Sequence, residues 1–287
     1  MADPVRIGAV SYLNTRPLVH GLEQDREAGG FELSYALPAE LADRMIAGEL
    51  DLALLPVIEL AGMPELEVVP GLGIVTAGAS RSVLLVSRKP LEQVDSVALD
   101  PESRTSNALA RLLFAKVWRR QPSFETGTRS LTESLERCDA AVRIGDKALF
   151  EPLPDGAHVQ DLGTVWTEQT RRPFVFAVWA ARPGVVDREL YKRLHASRRL
   201  GKQNIEQIAR DYRWQGQTYP EVAQSYLTRN IVYRLGSSEI DAMKLFFRET
   251  AEIGVIEKAP LIRLALTRWT ACHATAAMLR GTQRGSA

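Results

Sequence analysis

The sequence feature that most constrains the fold is an alternation of strand-like and helical segments that stops and then starts again. The first series has three apolar strand-like runs, at 5–10, 31–36 and 51–55. Helical patterns that begin near Pro17 and Pro38 separate these runs. Strands that alternate with helices predict a parallel sheet with helices packed on its faces.

Three further strand-like runs interrupt the series, with little room for helices between them, at 66–69, 73–77 and 82–87. The last of them, SVLLVS, is long and apolar, and it suits a strand that leaves one lobe for another. The alternation then resumes, with strands expected at 96–99, 139–144 and 174–181 and a helix at 105–118.

Beyond residue 187 the pattern is helical. Apolar residues recur at three- and four-residue spacing near 187–212, 219–234 and 237–253. The stretch after Pro260 shows the same spacing and a polar end, so we expect a packed or frayed extra helix there.

The order of these segments predicts a two-lobed α/β clamshell. A chain of 287 residues has room for two lobes of ordinary size. We expect the first lobe at 1–90 and 179–287, with a helical C-terminal region, and the second lobe at 91–178. Such an architecture binds its ligand in the cleft between the lobes, and closure of the cleft excludes water.

Bulk properties argue against several classes of function. The formal net charge is +1, so no general attraction to nucleic acid or to an anionic membrane is expected, and an anion must be bound by a local site. No apolar stretch is long enough to span a membrane, and the first residues lack a secretory signal pattern. We therefore expect a cytoplasmic protein without a nucleic-acid or membrane partner.

The sequence has no recognisable metal or cofactor motif. Cys138 and Cys272 do not form a CxxC pair, and the four histidines are not spaced as metal ligands. P-loop, GxGxxG and GxSxG motifs are absent. We expect chemistry without a metal, a cofactor or a Ser–His nucleophile, and surface or packing roles for the histidines.

A polar run, SYLNTRP, follows the first strand at the edge where ligands bind in open α/β sheets. Two interpretations stay open here. Asn14 or Thr15 caps the helix that starts near Pro17, or Ser11 and Asn14 form hydrogen bonds to a ligand, and both can hold.

A second polar run follows the strand expected at 96–99. It contains Ser103, Arg104, Thr105 and Ser106 at the start of a predicted helix, where hydroxyls and free amides form an anion site. A plain capping run is the alternative, since serine and threonine are preferred caps. We favour anion binding because three side-chain donors cluster where one cap would suffice.

Two more candidate positions border the expected cleft. Ser82 begins the SVLLVS strand, although a turn role is common for a serine at such a place. Gly145 and Asp146 follow the strand at 139–144. Gly145 permits close approach of the backbone, while Asp146 either caps the next helix, which is the favoured role, or sets the polarity of the cleft.

Several of these runs together resemble the chorismate dehydratase family. They lie in order between Val5 and about Gly254 and read RIGAVSYLNTRPL, LADRMIAGELDLALLPVIE, VALDPESRTSNALAR, RIGDKAL and RPFVFAVWAARP. The resemblance implies the fold of type 2 periplasmic binding proteins, used for catalysis. It also implies conversion of chorismate to 3-[(1-carboxyvinyl)oxy]benzoate on the futalosine route to menaquinone. Apart from the resemblance, we expect a monomer or homodimer without a cofactor.

The resemblance implies roles for individual residues as well. Asn14 and Ser82 are implied to be catalytic, and the 103–106 segment to hold a substrate carboxylate. Arg81 departs from the small or apolar residue expected before Ser82, so Ser80 is an alternative to Ser82. The tail beyond residue 260 departs from the family's shorter end.

Two other functions remain as alternatives. The first is 1,4-dihydroxy-6-naphthoate synthase, a sister enzyme of the same pathway and fold, for which a histidine in the cleft is expected. The second is a solute-binding protein that binds a small anion without catalysis, because a fold does not determine a function.

Overall fold

In the computed structural model, which describes residues 3–25 and 29–265, the chain has the expected two-lobed α/β architecture. Its strands in the described residues are β1 (Val5–Val10), β2 (Phe31–Ala36), β3 (Leu52–Pro56), β4 (Glu67–Thr76), β5 (Val83–Ser87), β6 (Ser96–Leu99), β7 (Ser123–Thr126), β8 (Ala140–Ile144), β9 (His158–Asp161), β10 (Phe174–Ala181) and β11 (Arg263–Leu264). The helices are α1 (Arg16–Gln24), α2 (Pro38–Ile46), α3 (Arg104–Lys116), α4 (Leu131–Arg137), α5 (Gly145–Phe150), α6 (Leu162–Thr170), α7 (Arg188–Gln203), α8 (Ile205–Asp211), α9 (Pro220–Arg229) and α10 (Ser237–Glu252). Short 3-10 turns lie at Leu13–Thr15, Val57–Ala61 and Leu91–Gln93.

Each lobe is built on its own mixed sheet. The first sheet has the order β11-β4-β10-β3-β1-β2, and the second has the order β7-β6-β8-β5-β9. In the first sheet β1 is parallel to β2 and β3, whereas β10 is antiparallel to β3 and β4. In the second sheet β6 is parallel to β7 and β8, whereas β5 is antiparallel to β8 and β9. The antiparallel strands β5 and β10 are the ones with which the chain enters the second lobe and returns.

Sheet membership places the two crossings earlier than residues 90 and 178. β5 belongs to the second sheet, so the chain crosses between Thr76 and Val83. All of β10 belongs to the first sheet, so the return crossing precedes Phe174. The hydrogen-bond partners of a strand decide its sheet, and these partners are distant in sequence.

The strands in the middle of each sheet follow the predicted pattern, and the differences lie at edges and bulges. The runs at 66–69 and 73–77 form the single strand β4, whose pairing with β10 shifts register between them. Strands β7 and β9 were not expected from the sequence. Both are edge strands with largely exposed residues, so they lack the apolar signal of a buried strand.

The segment after Pro260 differs from the expected helix at its start. Arg263 and Leu264 form the edge strand β11, which pairs in parallel with β4 at Glu67 and Val68. The prediction of a helix is therefore wrong for these residues, because pairing with a distant strand overrides local periodicity. The rest of that predicted helix lies outside the described residues.

The helical C-terminal region packs back onto the first lobe. Helix α7 crosses α1 so closely that a Cβ on Gly201 would lie 2.1 Å from the Pro17 carbonyl oxygen. The Ser197 hydroxyl donates to the Leu18 carbonyl at 2.7 Å and accepts from the Leu22 amide at 3.0 Å. This packing fixes α1, and with it the polar run that precedes the helix.

The main buried cluster runs through both lobes. Phe174 on β10 packs edge-to-face against Trp166 on α6 and Phe246 on α10, with ring centroids 5.3 and 5.0 Å apart. Each such aromatic pair contributes about 0.5–1.5 kcal/mol beyond area burial. In the described part of the chain, none of the helices has the length and apolar character needed to cross a membrane.

Candidate active site

A cavity lies where the two lobes meet, and the space between its lining atoms is about 530 Å³, part of which is open to solvent. Its apolar wall includes residues of both sheets: Val10, Ile74, Val83, Ile144, Phe176 and Ala177. Its hydrogen-bonding groups are the side chains of Tyr12, Asn14, Ser82, Ser103, Thr105 and Ser106. No formally charged side chain is present among the described residues that line it. An apolar cavity with a few convergent polar groups is typical of a small-molecule site.

Most of the candidate site residues lie on this cavity, and three do not. The six that line it are Asn14, Ser82, Ser103, Thr105, Ser106 and Gly145. Ser11, Arg104 and Asp146 are outside the lining, and each has partners elsewhere. The substrate-binding and catalytic roles of all of these residues stay predictions.

Asn14 is held by a tyrosine from the C-terminal region. Asn14 lies in the 3-10 turn Leu13–Thr15, and neither Asn14 nor Thr15 caps α1 with its side chain. The capping interpretation is therefore wrong. Instead, the Asn14 amide Nδ2 donates to the Tyr226 hydroxyl at 3.1 Å, and that hydroxyl donates to Ser82 Oγ at 2.7 Å.

The turn before β5 determines which serine faces the cavity. The carboxylate of Asp161 accepts from the amides of Ser80 and Arg81 at 3.0 and 2.6 Å, and the Ser80 hydroxyl also bonds to it. Arg81 has φ +59°, in the left-handed region that is uncommon for residues other than glycine. Ser80 thus packs against Asp161, while Ser82 lines the cavity.

The start of α3 serves as cap and cavity wall at once. Ser103 is the N-cap, and its hydroxyl accepts from the Ser106 amide at 3.2 Å. The Thr105 hydroxyl accepts from the Ile58 amide of the first lobe at 3.1 Å. Its own hydrogen is left for a further acceptor. The helix begins at Arg104, so its first amides have no intrahelical acceptor and point toward the end where an anion is favoured.

Gly145 is required by the ring of Tyr12. It has φ +63°, and a Cβ there would lie 2.8–2.9 Å from two ring carbons of Tyr12. Tyr12 comes from the first lobe, and its hydroxyl donates to Glu102 of the second lobe at 2.7 Å. The glycine therefore permits a tyrosine to cross the cleft and close one end of the cavity.

A charged cluster lies behind Tyr12 in the second lobe. The Lys147 ammonium is 2.9 Å from Glu102 and 3.4 Å from Asp100. Burial raises the pKa of Glu102, but hydrogen bonds from Tyr12 and Lys147 outweigh burial, so its pKa is lowered overall. Burial dominates at Asp100 and raises its pKa. Glu102 is thus an ionised acceptor that fixes the Tyr12 hydroxyl.

Asp146 links the lobes rather than capping a helix. Its carboxylate accepts from the Leu13 amide at 3.1 Å and from the Tyr212 hydroxyl, both in the first lobe. Helix α5 has no side-chain cap, so the favoured capping interpretation of Asp146 is wrong. Burial is the largest influence and raises the pKa of Asp146 to about 6.

Arg104 and Ser11 also face away from the cavity. The Arg104 guanidinium bridges to Asp43 at 2.8 Å and to Glu59 at 3.2 Å in the first lobe. Ser11 donates to the Ala36 carbonyl at 3.0 Å, which ties β1 to the end of β2. Arg104 is at the start of α3, but its side chain points to the first lobe rather than into the cavity. Its position in the sequence does not show this direction.

The described histidines lie outside the cavity lining. His195 is 3.1 Å from the Pro70 carbonyl, and His20 is 3.1 Å from Gln24 on the same helix. His158 is exposed on β9. The packing and surface roles expected for these three are confirmed, whereas His273 lies outside the described residues.

The residues that sequence reasoning missed are tyrosines. Tyr12 lies two residues before the candidate Asn14 in the run SYLNT, so its position was a usable signal. Tyr212 and Tyr226 are in the helical C-terminal region. In the sequence pattern they cannot be distinguished from the ordinary apolar positions of amphipathic helices. Their hydroxyl partners are 66 and 144 residues away in sequence.

Comparison with known proteins gives concordant results. The family model described as menaquinone biosynthesis matches residues 5–252. Chorismate dehydratase of Thermus thermophilus is 31% identical over 261 residues, which cover 85% of this chain and 94% of that protein. Chorismate dehydratase of Campylobacter jejuni is 28% identical over 248 residues, which cover 84% and 95%.

Solved structures show the same fold at low sequence identity. A protein of Archaeoglobus fulgidus superposes with a TM-score of 0.69 and 15% identity, and the match covers 88% of this chain and 98% of that one. The periplasmic aliphatic sulphonate binding protein SsuA of Escherichia coli has a TM-score of 0.60 and 16% identity, with 91% and 90% covered. The periplasmic-binding-protein-like fold is thereby confirmed. With the family match and the 31% identity to a hydro-lyase over most of its length, this chain belongs to the chorismate dehydratase family of menaquinone biosynthesis.

Proposed function

We propose that this protein dehydrates chorismate to 3-[(1-carboxyvinyl)oxy]benzoate as a step toward menaquinone. One observation carries the proposal: Asn14, Ser82 and the N-terminus of α3 line a single cavity between the lobes, in a chain of this family. These groups come from three separate segments, and each was a candidate from its sequence alone.

The reaction needs acceptors and donors in particular places. Chorismate carries a ring carboxylate at C1, an enolpyruvyl ether at C3 and a hydroxyl at C4. Loss of the C3 proton and the C4 hydroxyl releases one water and makes the ring aromatic. Negative charge that develops at C3 is conjugated to the ring carboxylate, so donors that bond to this carboxylate stabilise the transition state.

The N-terminus of α3 suits that carboxylate. The hydroxyls of Thr105 and Ser106 and the first helical amides converge there, and the helix dipole favours an anion. A site built from neutral donors binds an anion without an ion pair. Product release then does not require a salt bridge to break.

Asn14 and Ser82 are assigned to the reacting edge of the ring. A neutral amide is too weak a base to remove the C3 proton, so we assign the proton to the substrate's own enolpyruvyl carboxylate. Asn14 and Ser82 hold that carboxylate near C3 or orient the leaving hydroxyl. This is catalysis by proximity, in which fixed geometry replaces a strong base.

The test is incubation of the purified protein with chorismate, followed by ultraviolet absorbance and proton NMR. The expected product shows aromatic signals and keeps both vinyl protons of the enolpyruvyl group. Release of pyruvate would instead indicate cleavage of the ether. Tight binding without any turnover would favour the solute-binding alternative, and either result would end the proposal.

A further inference from the structure

Tyr226 contacts both residues that we assign to the reacting edge of the ring. It lies on α9, is 1% exposed, and is not among the residues that line the cavity. Its hydroxyl oxygen is 3.1 Å from Asn14 Nδ2 and 2.7 Å from Ser82 Oγ. The hydroxyl therefore acts behind the cavity wall and reaches the substrate only through its two partners.

The chemistry of the three groups gives their hydrogen bonds a direction. An amide NH₂ can only donate, so the Tyr226 oxygen accepts from Asn14. The Tyr226 hydrogen is then donated to Ser82, whose oxygen serves as acceptor. The hydrogen of Ser82 is left for another acceptor, and Ser82 lines the cavity. The chain of donors runs from Asn14 through Tyr226 to Ser82 and into the cavity.

We propose that Tyr226 is a positioning residue for the dehydration, which holds Asn14 and Ser82 at a fixed separation and keeps the Ser82 hydroxyl as a donor to the substrate. The inference rests on the proposed function, because only that function gives the two cavity residues a reaction to serve. It also gives the helical C-terminal region a part in the site, since α9 supplies the tyrosine.

Three separate parts of the chain meet at this hydroxyl. Asn14 follows β1 of the first sheet, and Ser82 immediately precedes β5 of the second. The Ser82 carbonyl also accepts from the Gly145 amide at 2.8 Å, which ties the same residue to the second lobe. The network is complete only when the lobes and α9 are in place, so its geometry is coupled to the closed cavity.

Burial keeps the tyrosine in one protonation state. It raises the pKa of Tyr226 above the ordinary value for a tyrosine, with smaller opposing contributions from Ser82 and Asn14. The hydroxyl therefore stays neutral and does not titrate near neutral pH. Removal of the hydroxyl should lower turnover without moving the pH at which activity is half-maximal.

Tyr233 provides a matched control. It is also buried, at 6% exposed, and its hydroxyl has no hydrogen-bond partner among the described residues. Both tyrosines lose one oxygen on change to phenylalanine, but only Tyr226→Phe removes bonds to the cavity residues.

The experiment compares steady-state turnover of chorismate by Tyr226→Phe and Tyr233→Phe with that of the wild type. For Tyr226→Phe we expect kcat to fall about 10- to 100-fold with KM changed less than about threefold, because an orienting interaction is lost. For Tyr233→Phe we expect kcat within about twofold of the wild type, since no bond is lost. Equal kcat for the two variants would overturn the positioning role.

A double variant tests whether the effect passes through Ser82. If Tyr226 acts by orienting Ser82, Ser82→Ala combined with Tyr226→Phe should be no more than about threefold slower than the more impaired single variant. Losses that simply multiply would contradict the inference. If Tyr226→Phe does not fold, fluorotyrosine at position 226 keeps both hydrogen bonds while it strengthens donation to Ser82 and weakens acceptance from Asn14. We then expect its effect on kcat to be present with Ser82 and largely absent in the Ser82→Ala background, and an equal relative effect in both backgrounds would overturn the inference.

The wild type separates this inference from the proposed function. If the wild-type protein leaves chorismate intact, the proposed function itself is contradicted. A wild-type protein that turns chorismate over, while Tyr226→Phe matches Tyr233→Phe, would remove only the positioning role.

Discussion

The cavity and the contacts that surround it use different chemistry. The cavity presents amide, hydroxyl and backbone groups without a formal charge among its described lining residues. The charged side chains lie around it and join the lobes, with Arg104 against Asp43 and Glu59, and Asp146 against the Leu13 amide. The difference indicates that the ionisable side chains form the contacts between the lobes, whereas neutral donors are kept for the ligand.

Tyr12 belongs to both regions. Its ring lines the cavity, and its hydroxyl donates to the ionised Glu102 across the lobes. The hydroxyl is thus fixed by a charge that does not itself contact the cavity. Charged groups in a low-dielectric site are costly to leave unpaired, so positioning through a neutral intermediary keeps that cost away from the ligand.

The strongest test of the difference between the neutral cavity and its charged surroundings is to place a charge in the cavity. Asn14→Asp puts a carboxylate beside a dianionic substrate and removes the donor to Tyr226. We expect kcat/KM for chorismate to fall at least about 10³-fold, since like charges about 4 Å apart repel by about 4 kcal/mol at an effective dielectric constant near 20. Ser11→Ala, in the same run but outside the cavity lining, should change kcat/KM less than about threefold. Similar losses in the two variants would contradict the assignment.

Removal of a charge from the inter-lobe contacts should alter the pH dependence of stability. The pKa of Asp146 is about 6 in the folded protein, against an ordinary value of 3.8. The folded state therefore binds the proton more tightly than the unfolded chain does. The contribution of Asp146 to stability is greatest below about pH 4 and declines by roughly 3 kcal/mol as the pH rises to about 6.

Asp146→Asn removes this titration. We expect the stability of the wild type, measured by denaturant unfolding and taken relative to Asp146→Asn, to decrease between about pH 4 and 6 and then to level off. Asp241→Asn, which removes an exposed carboxylate paired with Lys244, is the control for loss of a charge. A flat difference between the wild type and Asp146→Asn across this range would show that the carboxylate does not titrate as its burial implies.

The place where the two regions meet can be tested at Gly145. Gly145→Ala adds a Cβ that meets the Tyr12 ring and strains a left-handed backbone. We expect about 2 kcal/mol of lost stability, and a loss of about 10-fold in kcat/KM as Tyr12 is displaced. Gly156 has φ +71° with open space around it, so Gly156→Ala isolates the backbone cost, about 1 kcal/mol. Equal effects of the two changes on kcat/KM would indicate that Tyr12 does not depend on this glycine.

The smallest effect on activity is expected from the ion pairs of Arg104. Arg104→Gln removes the bridges to Asp43, which is 62% exposed, and to Glu59, whose side chain is only 10% exposed. Because the change leaves the buried Glu59 carboxylate without its cation, we expect about 1–3 kcal/mol of lost stability in thermal unfolding, but less than about threefold change in kcat. A loss of substrate binding comparable to that of Asn14→Asp would instead indicate that Arg104 contacts the substrate.

The strand and helix pattern was predictable where burial is strong. β3 and β8 are buried throughout, β1 is buried from Ile7 onward, and each was expected within about two residues of its observed bounds. β7 and β9 were not, because an exposed edge strand takes its stability from pairing rather than from its own side chains. The periodicity of apolar residues in a sequence indicates which residues are buried, and edge strands have few buried residues.

The site was predictable in position but not in its connections. Asn14 and the 103–106 segment were candidates because strand ends and helix starts collect at one edge of a sheet. The partner of Asn14 was not, since Tyr226 is 212 residues away and looks like any apolar position of an amphipathic helix. The partners of Asp146 likewise come from the opposite lobe.

The sequence by itself determined the two α/β series, the polar turns at their strand ends and the family to which the chain is similar. These depend on periodicity and on runs of neighbouring residues, which are local properties. Only the tertiary structure decided that Ser82 rather than Ser80 lines the cavity, that Arg104 and Asp146 turn away from it, and that Tyr226 bridges the cavity residues. Those outcomes depend on which groups the closed lobes bring within hydrogen-bond distance, and that distance is set by packing across the whole chain.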